Sequence, residues 1–280
     1  MVRGVNESID ILEIKGIDKL EKLTPGISLS KLYYGYSNGK CFSDLLKNVK
    51  YIINGTLKEA GKMAEIISNA CSGGYKDWVI LSLINTETNK EYLEKIPHRA
   101  FEDLSIIYHI CINAPSDVPF KNMVVTNDMI NEMGITEEEL YLIAKENTIR
   151  LLEPMVESMF EIMKRLIPDS VKEIDEPKYP MYVVSSKYGY GGAAFMLYDK
   201  IFDMLTQKIG EDILILPSSR HDFIAMPNCE DVEALANMVF EINITDVSDE
   251  DRLSNQVYRW NKDARKVEVV THTQFQNLCM

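Results

Sequence analysis

The segment Pro217, Ser218, Ser219, Arg220, His221, Asp222 carries two hydroxyls, a guanidinium, an imidazole and a carboxylate, the densest group of reactive side chains in the sequence. Side chains alternate along an extended chain, so an extended segment puts Ser219 and His221 on one side and Arg220 and Asp222 on the other. Ser219, or Ser218, could then act as a nucleophile with His221 as its base. Asp222 would point away from that imidazole, and the orienting carboxylate of a triad would have to come from another segment. Serine and aspartate are equally at home in tight turns for conformational reasons, which gives the same residues a second reading: a hairpin turn closed by an Arg220 to Asp222 ion pair.

Gly189, Gly191 and Gly192 form the other candidate, between an apolar strand and a helix. Backbone amides at such a place can cradle an anion or supply donors for developing charge, with Tyr190 beside Gly191 and Gly192 as a ligand contact. The spacing satisfies neither the G-x-G-x-x-G fingerprint nor a P-loop ending in Gly-Lys-Ser/Thr. The glycines also fit a turn that needs positive φ and a close approach of helix to sheet. The four histidines show no metal-binding spacing, and His109, set among apolar residues, reads as a hydrogen-bonded core residue. Five widely spaced cysteines, Cys41, Cys71, Cys111, Cys229 and Cys279, read as isolated reduced thiols. No metal and no cofactor is expected.

The elements that must position these groups follow from periodicity. Residues 9 to 14 alternate with period two and predict a strand, and the spacing from Ser43 onward predicts an amphipathic helix through the sixties. Residues 103 to 114 are apolar on both faces, as in a central strand covered on both sides, and 123 to 126 should pair with it antiparallel. Asn127 is the expected N-cap of a short helix ended by Gly134, and Thr136 with Glu139 is a capping box opening a longer one. Its apolar face runs through Leu140, Ala144, Leu151, Met155, Met159, Ile162 and Leu166, with Pro154 set to kink or break it. Met155, Met159 and Met163 form a stripe at helical spacing, suited to a core or to an adaptable binding face.

Residues 169 to 180 are polar and proline-containing and are expected to link an N-terminal α+β region, 1 to 168, to a C-terminal β-α-β-β-α region, 181 to 280. There the order is strand 181 to 186, glycine turn, helix from Ala193 to Lys208, strands on either side of Pro217 to Asp222, and a helix from Glu230 to Ile242. Two short strands close the chain. The fold class is α+β, with mostly antiparallel sheets and packed helices.

Composition bounds what such a fold can serve. The chain has 280 residues, 43 Asp and Glu against 30 Lys and Arg, and a formal charge of -13. That balance, with no cluster of basic residues, lacks the electrostatic footprint of a nucleic-acid groove. Residues 230 to 251 contribute eight acids and no Lys or Arg, a solvated face or a dock for a basic partner. No run reads as a signal peptide or a membrane span, so a cytoplasmic location away from membranes is expected. With 46% apolar and 26% charged residues, disorder and low-complexity classes are excluded.

The order of LSKLYYGYSNG, LINTETNKEYL with DLSIIY, VVTNDMINEMGITEEELYLIAKENT, GGAAFMLYDKIFDMLTQKIG with ILILPSSRHDFIAMP, and LSNQVYRWNKD resembles an uncharacterised bacterial family. It is a domain-of-unknown-function family abundant in clostridial Firmicutes, and the similarity spans nearly the whole chain. The resemblance implies no activity. In that family the hairpin usually reads Pro-Ser-Ser-aliphatic-His-Glu, so Arg220 and Asp222 depart from it. An acid shortened by one methylene displaces a carboxylate by about an ångström, which would cost a catalytic group about a hundredfold in rate. Two functions therefore remain open: a non-enzymatic interaction or regulatory protein offering loops or a sheet edge to a protein or small ligand, and a hydrolase or transferase built on Ser218 or Ser219 with His221.

Overall fold

The computed structural model describes short strands within residues 2 to 28, residues 33, 34 and 36 to 51, a few helical positions at 65, 68 and 69, and then 72–167, 179–210, 212–229 and 231–271. The chain divides into two compact units, Met1–Ser72 and Gly73–Met280. In the first, β1 (Val2–Gly4) pairs with β2 (Glu7–Ile9) and β3 (Ile11–Glu13) with β4 (Gly26–Ser28), all antiparallel. Of the strand expected at 9 to 14, Ile11–Glu13 is extended as β3 and Ile9 closes β2, while residues 10 and 14 lie outside the described ones. Residues 42 to 51 are helical, with Leu45 buried, as the spacing from Ser43 predicts. The next stretch of that predicted helix, 52 to 64, lies outside the described residues.

The second unit holds two antiparallel sheets. β7 (Leu104–Cys111) is the spine of the first: β5 (Val79–Asn85) lies along one edge, and β6 (His98–Phe101) and β8 (Asn122–Val124) share the other. All eight residues of β7 are buried, which is why its sequence is apolar on both faces. β8 forms the expected antiparallel pairing, His109 standing opposite Val124. A short helix, α1 (Lys90–Leu93), precedes β6.

Thr126, one residue earlier than expected, caps α2 (Asn127–Met133): its hydroxyl accepts the Met129 N–H, while Asn127 starts the helix and donates its side-chain amide to the Glu94 carbonyl. Gly134, at φ 65°, ends it. The Thr136 and Glu139 capping box opens α3 (Glu137–Leu152). This helix packs on β5, where the Thr148 hydroxyl accepts the outward Leu81 N–H at 2.8 Å, satisfying a buried donor on an edge strand.

Pro154 breaks the helix outright. A residue before proline is pushed away from the α region, and Glu153 sits at φ 50°, ψ 90°. The chain then runs extended as β9 (Pro154–Ser158) before α4 (Met159–Leu166). The continuous apolar face through Leu166 and the methionine stripe are therefore corrected: Met155 is a strand residue, and only Met159 and Met163 share a helix.

β9 pairs with β10 (Tyr182–Ser186) in a six-stranded sheet of order β14, β13, β11, β12, β10, β9. Its other members are β11 (Ile213–Ser219), β12 (Asp222–Pro227), β13 (Tyr258–Asn261) and β14 (Lys266–Val269). The expected linker falls largely on residues outside the described ones, 168 to 178, and the strands before and after it are neighbours in this one sheet. The expected helix from Ala193 begins as a buried 3-10 segment, Gly192–Leu197, breaks at the extended residue Tyr198, and resumes as α5 (Asp199–Ile209). α5 buries Phe202 against Trp260, rings stacked at 4.3 Å, and against Phe223. α6 (Val232–Thr245) seats Ala236 and Val239 against Leu214, Leu216 and Met226. The fold class is α+β, with antiparallel sheets and packed helices.

Candidate functional site

The hairpin between β11 and β12 is shaped by what its residues cannot do. Pro217 has no N–H for the ladder, and the register shifts between Leu216 and Ser219, so Ser218 falls in the irregular stretch. Ser219 then stands opposite Asp222 across a two-residue turn, Arg220 and His221. The extended alternation is thereby corrected. Ser219 Oγ donates to Asp222 Oδ1 at 3.1 Å and accepts the His221 N–H at 3.0 Å. The expected Arg220 to Asp222 ion pair is replaced by this Ser219 to Asp222 bond, and Arg220 turns its guanidinium to the Tyr190 hydroxyl, Nη2 to Oη 3.2 Å.

His221 is held on both ring nitrogens. Nδ1 accepts the Gly191 N–H at 3.3 Å, and Nε2 lies 3.1 Å from Asp251 Oδ1. In the neutral ring these partners assign the proton to Nε2. Asp251 is fixed in turn: Ser248 Oγ donates to its second oxygen, and its carbonyl accepts the Arg220 N–H. The carboxylate that Asp222 cannot supply to the imidazole therefore comes from the acidic stretch that follows α6.

The glycine turn meets this hairpin directly. Gly191 has φ 67°, and a Cβ on Gly192 would lie 2.4 Å from the His221 carbonyl oxygen and 2.7 Å from Ser185 Cα. Only glycine permits that approach. Gly192 N–H donates to the His221 carbonyl at 2.9 Å. Both amides expected to serve an anion thus bind the hairpin at His221.

Tyr190 extends the cluster inward. Its hydroxyl lies 3.3 Å from His109 Nδ1, and its ring packs edge-on against Phe120 at 4.9 Å and tilted against His221 at 5.4 Å. Arg220 Nη2 therefore donates to Tyr190 Oη, whose own proton faces a buried imidazole. Burial, with the nearby Arg220 charge, drives His109 down to about 3, so it stays a neutral acceptor at physiological pH. Burial pushes the Tyr92 phenol up, and the Arg220 charge opposes that shift, which places Tyr92 in the same electrostatic neighbourhood.

The structure therefore brings Ser219, Asp222, His221, Gly191, Gly192 and Tyr190 together, and these contacts do not use Ser218. Missed from sequence were Asp251, His109 in this role, and Phe120. His221 and Asp251 are 30 residues apart with a helix between them, and no local pattern encodes such a pairing. Among the described residues no three His, Cys, Asp or Glu side chains converge to hold a metal ion. None of the described helices is long and apolar enough to cross a membrane.

Fold and site together define an α+β protein whose late hairpin and glycine turn lock onto one another above a buried histidine. Over residues 2–262 the chain matches the model of a family described as Family of unknown function (DUF5688), and it belongs to that family. No curated protein and no solved structure matches it.

Proposed function

We propose that this chain is a cytoplasmic, non-enzymatic interaction or regulatory protein that uses its α+β scaffold to present the hairpin and glycine turn to a protein or small ligand, and that it binds no nucleic acid. The observation that carries this reading is the prior engagement of the groups a reaction would need. A nucleophile and its base must approach within about 2.6 to 3.2 Å, yet Ser219 Oγ is bonded to Asp222 and both ring nitrogens of His221 face Asp251 and Gly191. Donors for developing charge must be free when the charge forms, yet the Gly191 and Gly192 amides bind His221. A net charge of -13 opposes a phosphate backbone.

One feature favours the hydrolase or transferase alternative: the carboxylate that it requires from a distant segment is present as Asp251, 3.1 Å from His221. Screening for acyl and phosphoryl transfer with the intact chain, His221→Ala and Ser219→Ala separates the two readings. The expected result is no turnover that either substitution removes. Turnover abolished in a folded His221→Ala sample would establish the enzyme.

A further inference from the structure

Arg220 differs from the other arginines whose side chains are described. Arg99 pairs with Glu137 and Glu138, Arg165 with Glu157, Arg252 with Asp249, Arg259 with Asp212, and Arg265 with Asp199 and Asp203. Arg150 donates to the Asp77 carbonyl and to Asn147. Among the arginines whose side chains the structure describes, Arg220 alone has a guanidinium with neither a carboxylate nor an amide oxygen as partner. Its Nη2 meets only a phenol, and its Nε, like those of Arg252 and Arg259, is buried without a hydrogen-bond acceptor.

This is not for want of acids. Asp222 and Asp251 both touch the turn that carries Arg220, but Asp222 turns to Ser219, and Asp251 turns to His221 and Ser248. Around it stand neutral and aromatic groups: Tyr190, whose ring centre is 5.8 Å from Cζ, with Phe120 packed against Tyr190 and neutral His109 facing its hydroxyl. A half-buried guanidinium with unmatched donors and aromatic walls has the chemistry of a bidentate carboxylate anchor. One cation beside two carboxylates, on a chain of charge -13, suits a single negative charge better than the two of a phosphate.

We propose that Arg220, with the rings of Phe120 and Tyr190, binds a small monocarboxylic acid with an aromatic body. The carboxylate pairs with the guanidinium, and the body lies on the rings. This rests on the binding reading above and deepens it, but the two fail separately: turnover lost in His221→Ala concerns chemistry, whereas the following test concerns recognition of charge at Arg220.

The test titrates the full chain, labelled for NMR, with benzoate, its neutral isostere benzamide, and inorganic phosphate, up to about 20 mM, where a millimolar ligand saturates. Benzoate should shift the Arg220 Nε–H and Tyr190 signals saturably, with benzamide at least tenfold weaker and phosphate without a saturable effect. Arg220→Met, checked for folding by its thermal midpoint, should abolish the benzoate response. Phe120→Leu, which removes one ring and spares the guanidinium, should weaken it several-fold and stands as the test if Arg220→Met does not fold. Equal responses to benzoate and benzamide, a preference for phosphate, no saturation with benzoate, or full benzoate affinity in a folded Arg220→Met or in Phe120→Leu would each overturn the proposal.

Discussion

Two hairpins of the second unit turn through two polar residues each and treat them in opposite ways. Between β6 and β7 the turn is Glu102 and Asp103; between β11 and β12 it is Arg220 and His221. Asp103 accepts the hydroxyls of Ser254 and of buried Tyr258, while Glu102 accepts the Val269 N–H. With the Asn85 amide on the Leu253 carbonyl, these bonds join the four-stranded sheet to the last strands of the six-stranded one. The first turn is consumed by the fold. The second is consumed except for its guanidinium. A polar group at a corner is therefore informative about function only after its partners are known, and the two corners should respond differently to substitution.

The largest effect is expected at the first corner. Asp103→Ala leaves two hydroxyls without their acceptor, one of them on a phenol that burial and the Asp103 carboxylate hold protonated, well above its ordinary range. Hydrogen bonds to a charged group in a buried setting set the loss at about 3 kcal/mol, read from the urea midpoint. Next comes Gly192→Ala. Its Cβ would press on three backbone atoms, the His221 carbonyl oxygen, Ser185 Cα and Ser186 N, none of which can rotate away as a side chain would. The expected cost is about 2 kcal/mol or more, with His221 displaced from Gly191, visible as a change in its imidazole NMR signals. A tolerated methyl there would mean that the hairpin and the glycine turn are not locked together.

Under the second corner, His109 links the comparison to pH. Its folded pKa of about 3 lies below the unfolded value near 6.5, so the unfolded chain binds the proton that the folded chain refuses. The associated stability is complete above pH 6.5 and falls as pH drops toward 3, by about 2 kcal/mol between pH 7 and 5. That window lies above the range where carboxylates protonate. Denaturation at pH 7 and pH 5 should show this drop in the native chain and a much smaller one in His109→Asn. Equal drops in both would place the imidazole in contact with water.

What the sequence discloses and what it hides divide along the range of the interaction. Thr136 with Glu139, Gly134, and the apolar runs of β7 and β11 are local signals, each acting within a few residues, and each stands where it was read. Pro154 was legible as an interruption, but whether the chain would kink or leave the helix depended on a strand beyond the linker, β10, offering it an edge. The candidate site shows the same division. PSSRHD reads as a hairpin, yet its register shift reverses the side-chain geometry that alternation implies, because Pro217 leaves the ladder. Asp251, His109 and Phe120 reach the site through tertiary packing alone, and spacing along the chain carries no trace of them.

The smallest expected change in stability sharpens the comparison most. Arg220→Met keeps an unbranched side chain of similar reach, gives up one hydrogen bond to Tyr190, and relieves a buried Nε that has no acceptor. The lost bond is worth about 1 kcal/mol, and an unmatched buried donor costs a similar amount, so the two nearly cancel and the midpoint should move by less than about 0.5 kcal/mol. Burial is the larger cause of the His109 shift, so the stability drop between pH 7 and 5 should persist in this variant. A loss as large as that of Asp103→Ala would show that the guanidinium ties the fold together as Asp103 does. The second corner would then be structural throughout, with no cation left over for a ligand.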